Sequence, residues 1–463
     1  MKTVFHSALW VVTLLFSLIT FAQEFNGSWT GAIQGMPLVF EISNSNGEYV
    51  AKMQSPTQSK TYVPMNSIMV DGNQITMLLD AYKIKYQGEL IDSKIMGVFT
   101  QGAGSGEMIL EKKAYVEVKP NRPQEPKGPF SYIMEEVSFT NSKANDIKLA
   151  GTLTLPKEVK NPAVAILISG SGPQDRNEEL FDHKPFLVLA DHLTKKGIAV
   201  LRYDDRGVAQ SEGTQKGATS EDFATDVEAA ISYLKSRHDI NDKKIGLIGH
   251  SEGGLIAPMV IADNKKDVAF FVSLAGPGVD GYHVLLPQIE RSIKFQGVKG
   301  DTLDFETNLM DAMFLKIIDS EKLSSQLLEK KLITVMKEMV ANAPDISKAK
   351  YTDEVISGLS RQFSDDWMRF FLSYDPESNL KKVKCPVLAL NGSLDYQVIP
   401  EINLSGIEKA LSKNKDVTIK KITGLNHLFQ NAQTGSAGEY GQIEETFDPR
   451  TLNLISSWIN SRF

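Results

Sequence analysis

Two rhythms of hydrophobic and polar positions divide the chain. From Phe25 to about Lys113, short alternating runs such as LVFEIS, EYVAKMQS, QITMLLD and KIMGVFTQ are separated by Gly, Asn, Asp and Ser. Period-two alternation in short pieces predicts antiparallel strands that close into a small barrel or sandwich. From Val164 onward the runs become almost wholly apolar: AVAILIS (163–169), IAVLRY (198–203), KIGLIG (244–249), VAFFVSLA (268–275), PVLALN (386–391) and VTIKKI (417–422). Such runs suit central strands of a parallel sheet, buried on both faces. Helical periodicity lies between them. The clearest case is SEDFATDVEAAISYLKSRHD, which Ser220, Glu221 and Asp222 should start and in which Phe223, Val227, Ile231 and Leu234 share a face. Strand and helix in alternation predict an α/β fold with right-handed crossovers.

These rhythms set the expected boundaries. Residues 1–22, with Lys2 and an apolar run from Ala8 to Ala22, form a secretory signal pattern with a cut after Ala22. An uncleaved anchor is the competing reading, although the run is short for a membrane span. A β-rich N-terminal domain occupies 23–115, and a linker rich in Pro and charge occupies 116–130. The α/β domain takes up 131–463, interrupted at about 276–380 by a mostly helical insertion rich in Met, Leu and Phe.

Composition removes several function classes. Lys and Arg total 50 against 57 Asp and Glu, a net charge of −7, and no dense basic cluster exists to meet nucleic acid or an anionic membrane. Once the signal is cut, no segment remains for stable membrane insertion. The expected localisation is therefore across the inner membrane, periplasmic or extracellular. Cys385 is the single cysteine, so no internal disulfide forms; opening an apolar strand, it reads as a buried inert thiol. No His-x-x-x-His or Cys-x-x-Cys spacing suggests a metal, and no cofactor is expected. QGAGSGE (101–107) lacks the lysine of a phosphate loop and reads as a hairpin turn.

The candidate chemistry gathers at the ends of the apolar strands. In KIGLIGHSEGGLIAP, Ser251 lies in a sharp turn between strand and helix, where Gly249 and Gly253 keep a Cβ from colliding with neighbouring elements. Pro258 sits past the first turn of that helix and should cost a hydrogen bond or a bend. A serine nucleophile needs a general base, which a carboxylate holds in the right tautomer. Among the histidines, His250 adjoins the serine and points elsewhere; His183, His192 and His238 have helical or polar surface settings, and His283 opens the insertion. His427, in ITGLNHLFQ just after the last strand, is the candidate base, and Asp395, in LALNGSLDYQV after the preceding strand, the candidate acid. Oxyanion donors would be the backbone N–H of Glu252 and that of Ser171 in LISGSGPQDRNE, with Gly170 conformationally required. Asp175 and Arg176 form either an ion pair that buttresses the site or a solvated loop.

GHSEGG, together with ISGSGPQDR, LRYDDRGVAQSEG, LNGSLDYQV and GLNHLFQ in that order, resembles the α/β-hydrolase superfamily. More narrowly, the chain resembles bacterial secreted esterases and serine aminopeptidase-like hydrolases with a β-rich N-terminal domain. The resemblance covers about 131–463 and implies an α/β-hydrolase fold with a helical cap at about 276–380. It implies Ser251, Asp395 and His427 as the triad and hydrolysis of a small-molecule carboxylic ester. Ala209 stands where such sequences often have Gly, which bears on that loop's shape and leaves the triad untouched. One alternative is a peptidase acting on short peptides, its free amine held by a carboxylate on the cap or in GSGPQDRNEE, where Glu178 and Glu179 are available. Another is a non-catalytic protein that binds envelope glycan or lipid. Trp367, Phe370, Phe371 and Tyr374 either line an acyl pocket or fill the core. The sequence fixes no oligomeric state.

Overall fold

The computed structural model describes residues 25–463 apart from 34–35, 46, 57–60, 102–103, 117–119 and 321. The signal pattern at 1–22 lies outside the described residues, as do part of the linker and two residues of the QGAGSGE turn. The chain divides into two compact units, Met1–Val118 and Lys119–Phe463.

The first unit is one antiparallel sheet. Its strands are Gly27–Ile33 (β1), Met36–Ser45 (β2), Glu48–Gln54 (β3), Val63–Pro64 (β4), Ser67–Asp71 (β5), Gln74–Leu79 (β6), Ile84–Ile91 (β7), Lys94–Gln101 (β8) and Gly104–Lys112 (β9). They pair in the order β4-β3-β2-β1-β9-β8-β7-β6-β5. Residues Met65 and Asn66 join the two edge strands, and β5 packs beside β3, so the sheet curls on itself as the alternating pattern predicts. Its inward side chains include Trp29, Phe40, Met77, Tyr86 and Leu110.

In the second unit eight strands form a mixed sheet: Tyr132–Asn141 (β10), Ile147–Pro156 (β11), Val164–Ile168 (β12), Ala199–Tyr203 (β13), Ile245–His250 (β14), Phe270–Leu274 (β15), Val387–Gly392 (β16) and Val417–Ile422 (β17). The order is β10-β11-β13-β12-β14-β15-β16-β17; β11 is antiparallel to both neighbours and the pairs from β13 to β17 are parallel. Alternation within each apolar run supplies both faces. In β12, Val164, Ile166 and Ile168 face one core and Ala165 and Leu167 the other. Helices Pro185–Lys195 (α1), Ser220–Lys235 (α2) and Glu252–Asp263 (α3) cover the early strands. Helix α2 begins at Ser220, as its polar start suggests: Thr219 is the N-cap, and Asp222 reaches back to accept the Thr219 N–H at 2.9 Å. The Ser220 hydroxyl is thereby left for another partner. Helix α3 continues through Pro258, all of whose neighbours in the helix are buried, so packing offsets the missing hydrogen bond.

The insertion is helical as expected: Gly281–Phe295 (α4), Gly300–Ile318 (α5), Ser325–Ala341 (α6), Asp345–Lys350 (α7), Asp353–Phe363 (α8), Asp366–Ser373 (α9) and Glu377–Leu380 (α10). It has its own core of Leu309, Met313, Phe314, Leu332 and Met336. Helices Pro400–Ala410 (α11), Ala437–Tyr440 (α12) and Pro449–Asn460 (α13) complete the unit. Because the strands from β12 to β17 are parallel, the loops after β12, β13, β14, β16 and β17 all emerge at one sheet edge, where an open α/β sheet presents its crevice.

Candidate active site

Ser251 occupies the turn between β14 and α3 with φ 51° and ψ −118°, a backbone conformation that L-residues avoid. Two glycines permit it. A Cβ on Gly249 would lie 2.1 Å from the Gly253 carbonyl oxygen, and one on Gly253 would lie 2.2 Å from that of Ile168. The Ser251 N–H donates to the Leu274 carbonyl at 2.9 Å, tying the turn to β15. Helix α3 then starts directly behind the serine, with the Glu252 N–H in its first, unsatisfied turn.

Asp395 and His427 are brought together by the loops after β16 and β17, which are laced to each other. The Ser393 N–H donates to the Ile422 carbonyl and the Leu394 N–H to that of Leu425, both at 2.9 Å. Asp395 is fully buried. Its Oδ1 accepts the N–H groups of Gln397 (2.8 Å) and Val398 (3.0 Å), which leaves Oδ2 for His427 Nδ1 at 2.8 Å. A carboxylate at Nδ1 fixes the proton there, and Nε2 is the basic nitrogen. The Asn426 side chain braces the same loop by accepting the N–H groups of Leu428 and Gln430.

The loop after β12 closes the opposite side. Gly170 stands so near that a Cβ on it would come 3.2 Å from Ser251 Cβ and 3.3 Å from Glu178 Oε1, so crowding, rather than a left-handed backbone, is what favours glycine there. Its N–H is taken by Glu178 Oε1 at 2.7 Å, whereas Ser171 lines a cleft of about 500 Å³ with Gln215, Phe223, Gln362, Asp365 and Trp367. Asp205, from the loop after β13, holds this segment by accepting the Ser169 hydroxyl at 2.7 Å and the Gln174 N–H at 3.0 Å. Burial, with Glu178 and Glu252 nearby, pushes the Asp205 carboxyl up to about 8, against the pull of those two donors.

Several polar residues are placed differently from the sequence reading. His250 does not simply point away: Nδ1 meets Glu178 Oε1 at 2.9 Å, and Nε2 meets the His427 carbonyl at 3.0 Å. Glu178 is thus buried in a pair and not open to an amine, while Glu179 lies 4.0 Å from Lys184. His183 has no surface setting. It is buried against Thr446, Gln430 and the Tyr440 carbonyl, groups more than 240 residues away in the chain. His192 is half-buried beside Ser456. Arg176 does not pair with Asp175; it binds Asp204 at 2.7 Å as well as Glu136, and Asp175 accepts the N–H groups of Asn177 and Glu179. Burial pushes the Cys385 thiol up to about 12, as an inert thiol requires.

The aromatic stripe splits. Trp367 lines the cleft and donates its indole N–H to Glu252 Oε1 at 2.9 Å, and the Ser220 hydroxyl donates to the same oxygen at 2.5 Å. Phe371 is core, stacked on Trp367; Phe370 and Tyr374 stack on each other at the core's margin. Glu252 itself is buried, which raises its carboxyl above the ordinary value. Among the described residues, no group of three or more His, Cys, Asp or Glu could hold a metal ion.

Residues 184–433, more than half of the chain, match the family described as serine aminopeptidase, S33. Esterase EstD of Thermotoga maritima is 26% identical over 313 residues, covering 67% of this chain and 65% of the esterase. The chain therefore spans just under two thirds of that relative. Putative hydrolase YtaP of Bacillus subtilis is 30% identical over 119 residues, covering 22% of this chain and 40% of its own. Among solved structures, the Pyrococcus furiosus esterase Pf2001 aligns over 75% of this chain and 99% of its own, at 15% identity and a TM-score of 0.43.

Proposed function

The chain belongs to the serine aminopeptidase S33 family of α/β hydrolases, and from that premise we propose that it hydrolyses carboxylic esters of small molecules through an acyl-enzyme on Ser251. The observation that carries this reading is the Asp395–His427 pair. One carboxylate oxygen is satisfied by backbone donors and the other is given to Nδ1, at the sheet edge where Ser251 stands in its strained turn.

In the first half of the reaction, Ser251 Oγ bonds to the ester carbonyl carbon while its proton passes to His427 Nε2. The negative charge moves to the carbonyl oxygen, toward the N–H of Glu252 at the start of α3 and the N–H of Ser171. Collapse breaks the bond to the alcohol oxygen, which leaves with the proton from His427. Water then repeats the sequence on the acyl-enzyme: its proton goes to His427, its oxygen to the acyl carbon, and Ser251 is released with the proton returned. Asp395 stays ionised throughout and stabilises the imidazolium. The cleft beside Ser171, with Phe223 and Trp367 among its walls, would take one arm of the ester.

Turnover of p-nitrophenyl esters from acetate to palmitate tests the reading. Activity should peak at one acyl length and fall about 10⁴-fold in Asp395→Asn, which turns the wrong tautomer toward the serine. Undiminished turnover in that variant would count against it. A peptidase reading is favoured by one feature, the Asp365 carboxyl on the cleft wall, where a free amine could be held. Faster cleavage of aminoacyl-p-nitroanilides than of esters, lost in Asp365→Asn, would select it. The apolar run ending at Ala22 further supports secretion; the protein recovered from its cells should then begin at Gln23.

A further inference from the structure

Beside the Asp395–His427 pair the chain buries a second histidine–carboxylate pair, and the reaction above has no step for it. His250 is the last residue of β14, Glu178 belongs to the loop after β12, and both are almost fully buried. Each ring nitrogen of His250 faces an acceptor: Glu178 Oε1 at 2.9 Å from Nδ1, and the His427 carbonyl at 3.0 Å from Nε2. A carbonyl oxygen only accepts, and Glu178 Oε1 already receives the Gly170 N–H at 2.7 Å. A neutral imidazole has one N–H and could serve only one of its two acceptors. The doubly protonated ring serves both.

The groups facing this ring come from three loops. Glu178 lies after β12, Asp395 after β16, and the ring of His427, after β17, has its centroid 4.8 Å away. Burial alone would lower the imidazolium, but Glu178, with the His427 carbonyl and Asp395, outweighs it and raises His250 above its ordinary value. Through Gly170 the pair holds the loop carrying Ser171, and through the His427 carbonyl it holds the loop carrying the base.

We propose that His250 is a buried imidazolium which, with Glu178, forms a positioning pair that fixes the oxyanion loop and the His427 loop at one spacing around Ser251. This rests on the reading of Ser251 and His427 given above. Neither His250 nor Glu178 touches the reacting atoms. The pair sets where the groups that do so stand. Loss of the His250 proton at alkaline pH releases one of the two loops, so the cost falls on kcat and spares KM.

Glu178→Gln tests this, because the amide oxygen can still accept the Gly170 N–H while the charge is gone. Burial then weighs against fewer opposing groups, and His250 gives up its proton at lower pH. The expected result is a fall in kcat of about 10- to 100-fold, the scale of a misplaced reacting group. KM should stay within about twofold, and the alkaline limb of kcat should move to lower pH. Glu178→Asp, which restores the charge, should recover part of kcat and move that limb back. A second readout needs no turnover: ¹⁵N signals of the histidine rings, with those of His250 identified by their absence in His250→Gln. Both His250 nitrogens should carry protons at pH 7 in the unaltered chain, and only one in Glu178→Gln. A single protonated nitrogen in the unaltered chain would overturn the proposal whether or not Ser251 is the nucleophile. So would a folded Glu178→Gln chain whose pH limb does not move. If that variant fails to fold, the nitrogen signals of the unaltered chain decide.

Discussion

Ser251 sits at φ 51° and ψ −118°, and that backbone strain can be measured apart from the chemistry. A residue with a Cβ held in so sparsely populated a region costs roughly 1–3 kcal/mol. Glycine escapes that cost but loses about 0.5–1 kcal/mol through its greater freedom in the unfolded chain. Ser251→Gly should therefore stabilise the fold by about 1 kcal/mol, whereas Ser251→Ala keeps the Cβ and the strain. The unit Lys119–Phe463 has 345 residues, and its unfolding entropy should be about 0.7 kcal/mol/K near the melting temperature. One kcal/mol then shifts the midpoint by about 1.4 °C. Scanning calorimetry of the two variants at the same rate is the assay. Both should be inactive on esters, with the glycine variant melting above the alanine variant by about 1–2 °C. A glycine variant that melts at or below the alanine variant would refute the claim that the turn stores strain.

Other perturbations follow the same reasoning. Burial pushes Asp205 up to about 8 in the folded chain, while the unfolded value is about 3.9. A raised carboxyl contributes its full stability below pH 4 or so and loses it as pH rises toward 8. Asp205→Asn should therefore gain stability over the unaltered chain between pH 5 and pH 8; a difference that does not change with pH would contradict the assignment. Arg206 and Asp226 form a buried ion pair at 2.7 Å, so Arg206→Met leaves an unpaired buried carboxylate and should cost about 3–5 kcal/mol in urea unfolding. Gly253→Ala would set a Cβ 2.2 Å from the Ile168 carbonyl oxygen, a backbone atom that cannot swing aside. That variant should lose ester turnover and most of its soluble yield, and a well-folded, active protein would contradict the packing described.

What was legible in the sequence is what depends on local pattern. Val164–Ile168, Ile245–His250 and Val387–Gly392 read as buried parallel strands because both faces are apolar, and each was placed to within a residue or two. Ser251, Asp395 and His427 could be nominated because each follows such a strand at the same sheet edge. The residues whose setting the sequence does not reveal depend on contacts between distant segments. His183 looked polar and exposed, yet the stretch around Tyr440 and Thr446 folds over it. Glu178 looked free to meet an amine, and only the approach of its loop to β14 shows it spent on His250 and Gly170. For Arg176 the sequence leaves an ion pair with Asp175 and a solvated loop open, and the structure gives it a third setting, paired with Asp204 just after β13. The pattern places the start of α2 at Ser220, but it does not show that the Ser220 hydroxyl has a tertiary partner in Glu252. A signal for these was present only as an excess of charged residues in the loops after β12 and β13, which names no partner.

The most direct test of the account is the pre-steady-state hydrolysis of a short p-nitrophenyl ester by the chain and by Ser251→Ala. An acyl-enzyme on Ser251 predicts a burst of about one p-nitrophenolate per chain when deacylation is the slower step, and a loss of about 10⁴-fold or more in the variant. A Ser251→Ala chain that turns the ester over at the unaltered rate would contradict it.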